Sequence, residues 1–222
     1  SYARLDGGVP IGIWRATLLS ENGFFAESFV DEMAAAAGRS PLDIRRELIG
    51  DNAAAAAALD TLEDLFDFSP RSAGDRGWGI AVAAGWNCVV AAALDVTRVD
   101  SAEFRINDVA CALHCGTAVN PAIVESQVQG GFLFGLDAAL YGDAEVKNGR
   151  MVRGNFDTQP ALRMNQAPRV RTAIVASTAA PGGVGEITTA ISAPVLANAL
   201  AAAGFDRVRR LPFTQAGLRL VS

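Results

Sequence analysis

The sequence predicts an α+β fold, a mixed sheet with packed helices. Three observations carry this. Helix start and stop signals fill the first 66 residues. From Gly79 onward the chain turns into β-rich runs. A late helical stretch then follows an isolated glycine-rich loop, Pro181–Glu186, "PGGVGE".

Taken in order, Ser20 can cap a helix in which Phe25, Phe29 and Met33 recur every four residues beside Val30, with Gly38 suited to its end. Ser40-Pro41-Leu42-Asp43 reads as a second start, with a cap, a first-turn proline and an acid. A third helix covers Ala53–Phe66. Pro70–Arg76 is polar and glycine-containing, the best candidate linker. Strands are expected over Gly79–Ala84, Cys88–Val99 and Glu103–Leu113, the last two joined as a hairpin through "VDSAEF". Asn120-Pro121 opens a helix to about Leu136. Gly130, Gly131 and Gly135 along it imply close backbone packing, since each glycine costs a helix about 1 kcal/mol. Asn148-Gly149 supplies the positive φ angles of a tight hairpin turn. Val170–Val175 is a further strand, and Ser192 is read as the cap of a last helix, Ala193–Ala203, ending at Gly204.

A chain of 222 residues is enough for one large domain or two small ones. The expected division is a helical segment over 1–70 and an α+β segment over 71–222, or one continuous domain. Half the residues are hydrophobic and 19% are charged, which excludes disorder as the organising state. Net charge is −5, and the one basic cluster, Arg207, Arg209 and Arg210, is too small for a nucleic-acid stripe, so no nucleic acid is expected as a partner. Gly77–Leu94 carries no charge, but alanine and glycine dominate it and it breaks around Gly85 into two strand-like halves, so no membrane span is expected. The opening "SYARLDGG" has neither the charged nor the apolar region of a secretory signal and reads as a processed or truncated end, leaving the compartment open between cytoplasm and periplasm. Cys88, Cys111 and Cys115 with the single histidine, His114, fall short of the paired clusters of a structural zinc site; ordinary small buried residues are the preferred reading.

Several chemistries find no support. There is no G-x-S-x-G for serine hydrolysis, no G-K-[ST] ending for Walker-type phosphate binding, and nothing selects one carboxylate pair among 24 acids. Gly183-Val184-Gly185 lacks the x-x-Gly that a dinucleotide loop requires. Glu186 remains. In an apolar loop it is either a general base in a dry pocket or the solvated end of a glycine turn. From the stretch itself both stand.

Four motifs in series then matter. They are "VPIGIWRATLLSENGFF", "VACALHCGTAVNPAIVESQVQGGFLFG", "NFDTQPALRMNQAPRV" and "PGGVGEITTAISAPVLANALAAAGFDRVRRLPF". Together they resemble the molybdenum-binding large subunit of the xanthine dehydrogenase and aldehyde oxidase family, nearest the branch that holds the isoquinoline 1-oxidoreductase β-subunits. The resemblance implies the C-terminal portion of the molybdopterin-binding domain. It implies that Glu186 takes a proton from a hydroxide on molybdenum, whose oxygen attacks an electron-poor carbon of an N-heteroaromatic ring or aldehyde while hydride passes to a sulfido ligand. Trp14, Arg15 and Ala16 match the segment lying against the cofactor, although packing is the plainer role for Trp14. Gly182, Gly183, Val184 and Gly185 match the loop that passes close to the metal centre. No protein side chain is expected to ligate the metal; a molybdopterin, in its cytosine dinucleotide form, would hold it. Partners implied are the remainder of the molybdenum-binding subunit, a small iron–sulfur subunit with [2Fe–2S] clusters and a small-molecule substrate. Ile187-Thr188 and His114 depart from the residues relatives usually carry, which touches substrate choice. Alone, the chain is expected to be inactive. The rivals are a non-catalytic interaction domain that kept the fold and a nucleotide-binding module.

Overall fold

The computed structural model describes residues 12–70 and 74–222. Three helices come first: α1 (Leu19–Ala36), α2 (Pro41–Leu48) and α3 (Ala53–Leu65). Three long strands follow, β1 (Arg76–Gly85), β2 (Cys88–Arg98) and β3 (Glu103–His114). After them come α4 (Pro121–Tyr141), a small hairpin of β4 (Val146–Lys147) and β5 (Arg150–Met151), β6 (Val170–Ile174), α5 (Ile187–Ala202), a 3-10 turn at Phe213–Ala216 and β7 (Arg219–Leu220).

β1, β2 and β3 form an antiparallel meander, and β6 and β7 both run parallel to β3, giving the mixed sheet that the sequence predicts. Period-two alternation divides its residues between two cores. Val90, Ala92, Leu94, Val109, Cys111 and Leu113 face α4 and α5. Val89, Ala91, Ala93, Ala110 and Ala112 face α3. The alanines and glycines set the layer spacing. A Cβ on Gly77 or Gly79 would collide with the α5 backbone at Ala202 or Ala199, so β1 and α5 touch main chain to main chain.

The edge strand β1 is not left bare. Asn198 on α5 donates to Ile80 O at 3.1 Å and to Glu27 O at 3.3 Å, and it accepts from Arg207 at 3.1 Å. Glu27 on α1 accepts from Val82 N at 3.1 Å and from the buried Arg45 of α2 at 2.8 Å. Edge groups that would otherwise offer a pairing template are thus covered by side chains.

Several expectations hold closely. Ser40 caps α2 with proline at the first turn, and Asn148 and Gly149 adopt positive φ in the β4–β5 turn. Gly38 and Gly204 take left-handed angles where α1 and α5 end. Others need correction. Leu18, not Ser20, holds the N-cap position of α1; the Ser20 hydroxyl instead donates to Ala16 O. The Phe25, Phe29 and Met33 stripe faces outward, whereas Phe24, Ser28, Asp31 and Ala34 face in. α4 continues five residues beyond Leu136. Ser192 does not cap α5. The helix begins at Ile187 with Pro194 inside it, and the Ser192 hydroxyl lies buried between Phe132 O (2.9 Å) and Thr188 O (3.1 Å). Of the expected linker, residues 71–73 lie outside the described residues.

Candidate active site

The loop between β6 and α5 crosses the ends of the central strands. Val175 N donates to Leu113 O, and both the amide and the hydroxyl of Thr117 donate to Ala179 O. Gly182 N then donates to Cys115 O at 2.9 Å and Gly183 N to Trp86 O at 2.8 Å. A Cβ on Gly182 would sit 2.5 Å from Cys88 Sγ and 2.6 Å from Asn87 O. None of Gly182, Gly183 and Gly185 occupies the left-handed region. At Gly182 and Gly183 the glycine is needed because the loop presses on the β1–β2 turn.

Cys88 belongs to that contact. Burial, and secondarily the Cys115 thiol, push its pKa up to about 11. It therefore stays a neutral thiol and donates weakly to Gly183 O at 3.5 Å. Burial raises Cys111 and Cys115 as well. Cys111 and Cys115 share a sheet face, and alternation puts His114 on the other, so the structure does not bring this trio together.

Arg15 joins the N-terminal segment to the loop. Its guanidinium grips Gly185 O through Nη2 and through Nε at 2.7 Å, across 170 residues of sequence. Nη2 also donates to Gln127 Oε1 of α4 at 3.2 Å. Phe134 of α4 lies under the guanidinium, 5.6 Å from the ring centroid, and stacks on Trp14 at 5.3 Å. Ala16 is fully buried, with φ of 64°, and its carbonyl starts α1. Gln127, Gly131 and Phe134 recur at i, i+4 and i+7, which places them on the α4 face toward Arg15. On Gly131 a Cβ would overlap Thr188 Oγ1, which confirms the close packing expected at this glycine; Gly130 faces open space.

Glu186 is half-buried at the N-cap position of α5. Its carbonyl accepts from Thr189 N at 3.0 Å, while its side chain makes no cap bond. Among the described residues no donor or cation meets the carboxylate. An apolar cleft of about 320 Å³ beside Trp14, lined in part by Glu21, Gly135, Thr189 and Leu211, contains none of the residues Gly182–Glu186.

Residues 72–168 match the model of the molybdopterin cofactor-binding domain. The chain is 31% identical over 199 residues to the isoquinoline 1-oxidoreductase β-subunit of Brevundimonas diminuta, covering 87% of this chain and 25% of that protein. The chain belongs to the molybdopterin-binding family of xanthine dehydrogenase and aldehyde oxidase large subunits. It is also 26% identical over 216 residues to a nicotinate dehydrogenase subunit from Pseudomonas putida, covering 89% of this chain and 18% of that one. A third relative, 27% identical over 209 residues, is the membrane-bound aldehyde dehydrogenase [pyrroloquinoline-quinone] of Gluconacetobacter polyoxogenes, with 84% and 27% coverage. This molybdopterin-family chain thus spans between about a fifth and a quarter of the length of these relatives. Among solved structures, the aldehyde oxidoreductase of Desulfovibrio desulfuricans superposes with a TM-score of 0.49 at 19% identity, over 57% of this chain and 14% of that one. No helix among the described residues is long and apolar enough to cross a membrane.

The family's cofactor can be tested against this loop. Among the described residues, the amides of Val184, Gly185 and Glu186 meet no protein acceptor, nor do those of Ile187 and Thr188 at the start of α5, whereas Thr189 N is taken by Glu186 O. A row of free amides at a helix N-terminus suits a negatively charged group, as a phosphorylated pterin with metal-bound oxygen and sulfur would be. The Cβ position of Gly185 also has space, with nothing nearer than Gln127 Oε1 at 3.8 Å. The residues present fit the group. Missed by sequence reasoning were Gln127, Phe134 and the Trp86–Cys88 turn. The four-residue step from Gln127 to Gly131 was the one available signal.

Proposed function

We propose that this chain supplies the catalytic base and one wall of the pterin site of a molybdenum hydroxylase large subunit. The activity is hydroxylation of an N-heteroaromatic or aldehyde carbon with oxygen from water. The carrying observation is the grip of Arg15 on Gly185 O. Two family motifs at opposite ends of the chain meet at one place, and among the described residues the carboxylate next to that contact has no partner.

The Val184–Glu186 amides and the main chain at Trp14–Ala16 would hold the cofactor. When bound, molybdenum on molybdopterin, in the cytosine dinucleotide form, supplies two-electron redox chemistry that no side chain here can perform. Glu186, which meets no cation among the described residues, would accept the proton from the attacking oxygen as it bonds to the substrate carbon. The loop, pinned on Trp86 and Cys115, keeps that carboxylate on a rigid support. The relatives' names, isoquinoline, nicotinate and aldehyde, support the substrate classes. A partner iron–sulfur subunit would supply the [2Fe–2S] clusters that such an enzyme needs as its electron outlet. The remainder of the large subunit covers the outward stripe of α1.

In the assembled enzyme, Glu186→Gln is expected to keep molybdenum and pterin content while losing at least about a thousandfold in turnover, at the lower end of what a positioned base and its electrostatics supply. Retained turnover would remove Glu186 from the reaction.

A further inference from the structure

We propose that Arg15 is a positioning residue, aimed by Gln127, that sets the direction of the Glu186 carboxylate by fixing the peptide plane between Gly185 and Glu186. The proposal rests on Glu186 being the base.

Two N–H groups of one guanidinium converge on Gly185 O, and that carbonyl belongs to the same rigid plane as the Glu186 amide. On its other side Glu186 is held by the first turn of α5, through Thr189 N on its carbonyl. Among the described residues no bond holds the carboxylate itself, so these two backbone anchors fix the point from which its side chain projects. The guanidinium is itself preorganised. Gln127 Oε1 accepts a hydrogen bond from Nη2, Phe134 lies beneath, and Gly131 gives the close passage beside Thr188. Among the described residues no carboxylate pairs with Arg15, and its acceptors are neutral amide oxygens. A cation therefore stands one residue from Glu186 without capturing it. Lysine could reach Gly185 O with one N–H but could not fork onto it while also meeting Gln127.

Arg15→Met, Arg15→Lys, Gln127→Leu and Glu186→Gln would be compared in the assembled enzyme. Three quantities would be measured: kcat and KM separately, molybdenum and pterin content, and amide hydrogen exchange over residues 182–190. Arg15→Met is expected to lower kcat about 10- to 100-fold with KM within about twofold, the signature of a base displaced by about 1 Å. Metal content stays at the native level and exchange at Glu186–Thr189 rises about tenfold. Arg15→Lys and Gln127→Leu fall between Arg15→Met and the native enzyme in both kcat and exchange. If native kcat and native exchange persist in Arg15→Met while Glu186→Gln is inactive, positioning is overturned and the base stands. An active Glu186→Gln overturns the base, whatever Arg15 does. Loss of pterin from Arg15→Met with native exchange also overturns positioning, since Arg15 would then hold the cofactor. If Arg15→Met does not fold, Arg15→Lys and Gln127→Leu carry the test by the same criteria.

Discussion

Gly182, Gly183 and Gly185 look alike in the sequence, yet a methyl group meets something different at each. At Gly182 it would strike Cys88 Sγ and Asn87 O; at Gly183 it would press on Trp86 Cβ at 3.1 Å; at Gly185 it would touch only Gln127 Oε1, at 3.8 Å. Gly182→Ala is therefore expected to cost about 1–3 kcal/mol, the usual range for overpacking a tight site. Gly185→Ala should stay within about 0.5 kcal/mol, the range for a change that disturbs no packing. Denaturant unfolding of the two variants checks both. If Gly185→Ala unfolds normally yet the assembled enzyme loses turnover, the space at Gly185 serves what binds there. The sequence made the tight packing of this loop legible, since adjacent glycines in an apolar run imply close approach, as Gly182 and Gly183 show. It could not name the neighbour. The Trp86–Cys88 turn and Gln127 reach the loop only through the tertiary fold, and no local pattern encodes that.

Among the elements, α5 shows why a local signal can be real and still mislead. Ser192 reads as the cap of a helix beginning at Ala193, yet the helix already runs from Ile187. The serine found better partners in Phe132 O and Thr188 O, and the proline was absorbed in a helix buried along most of its length. The long strands were legible as β-rich runs broken by turn residues such as Gly85, β2 being buried on both faces, and Asn148-Gly149 fixed its hairpin through its own turn chemistry. Asn198 was visible only as part of a motif. Its role is to close the β1 edge, tying Ile80 O, Glu27 O and Arg207 together. Asn198→Leu is expected to cost about 1–3 kcal/mol, because the Ile80 carbonyl loses its side-chain donor while Glu27 O keeps Arg45 and Arg207 keeps Asp31. In a double-mutant cycle, Asn198→Leu and Arg207→Met should couple by about 1 kcal/mol or more, measured by denaturant unfolding. Additive losses would show that Asn198 acts through Ile80 and Glu27 alone.

Over the whole molecule, α1 is amphipathic the wrong way round for a chain that stands alone. Its inward face carries Ser28 and Asp31, satisfied in part by Arg207, while Phe25 and Phe29 are 63% and 61% exposed, with Met33 beside them. Four-residue spacing made this stripe obvious in the sequence, but periodicity says only that a face will be covered, not by what. Since the chain spans about a fifth to a quarter of its relatives' length, the remainder of the large subunit is the proposed cover. Isolated, the chain should then self-associate through this face, because exposed apolar patches of this kind draw copies together. Phe25→Glu with Phe29→Glu should abolish that association in sedimentation velocity while leaving the unfolding midpoint within about 3 °C, since neither side chain belongs to the core. In the full-length subunit the same pair should do the opposite and lower the midpoint by more than about 5 °C, as charge is forced into a covered face. Equal midpoints in both settings would show that the stripe stays open in the assembled protein and would remove α1 from that contact.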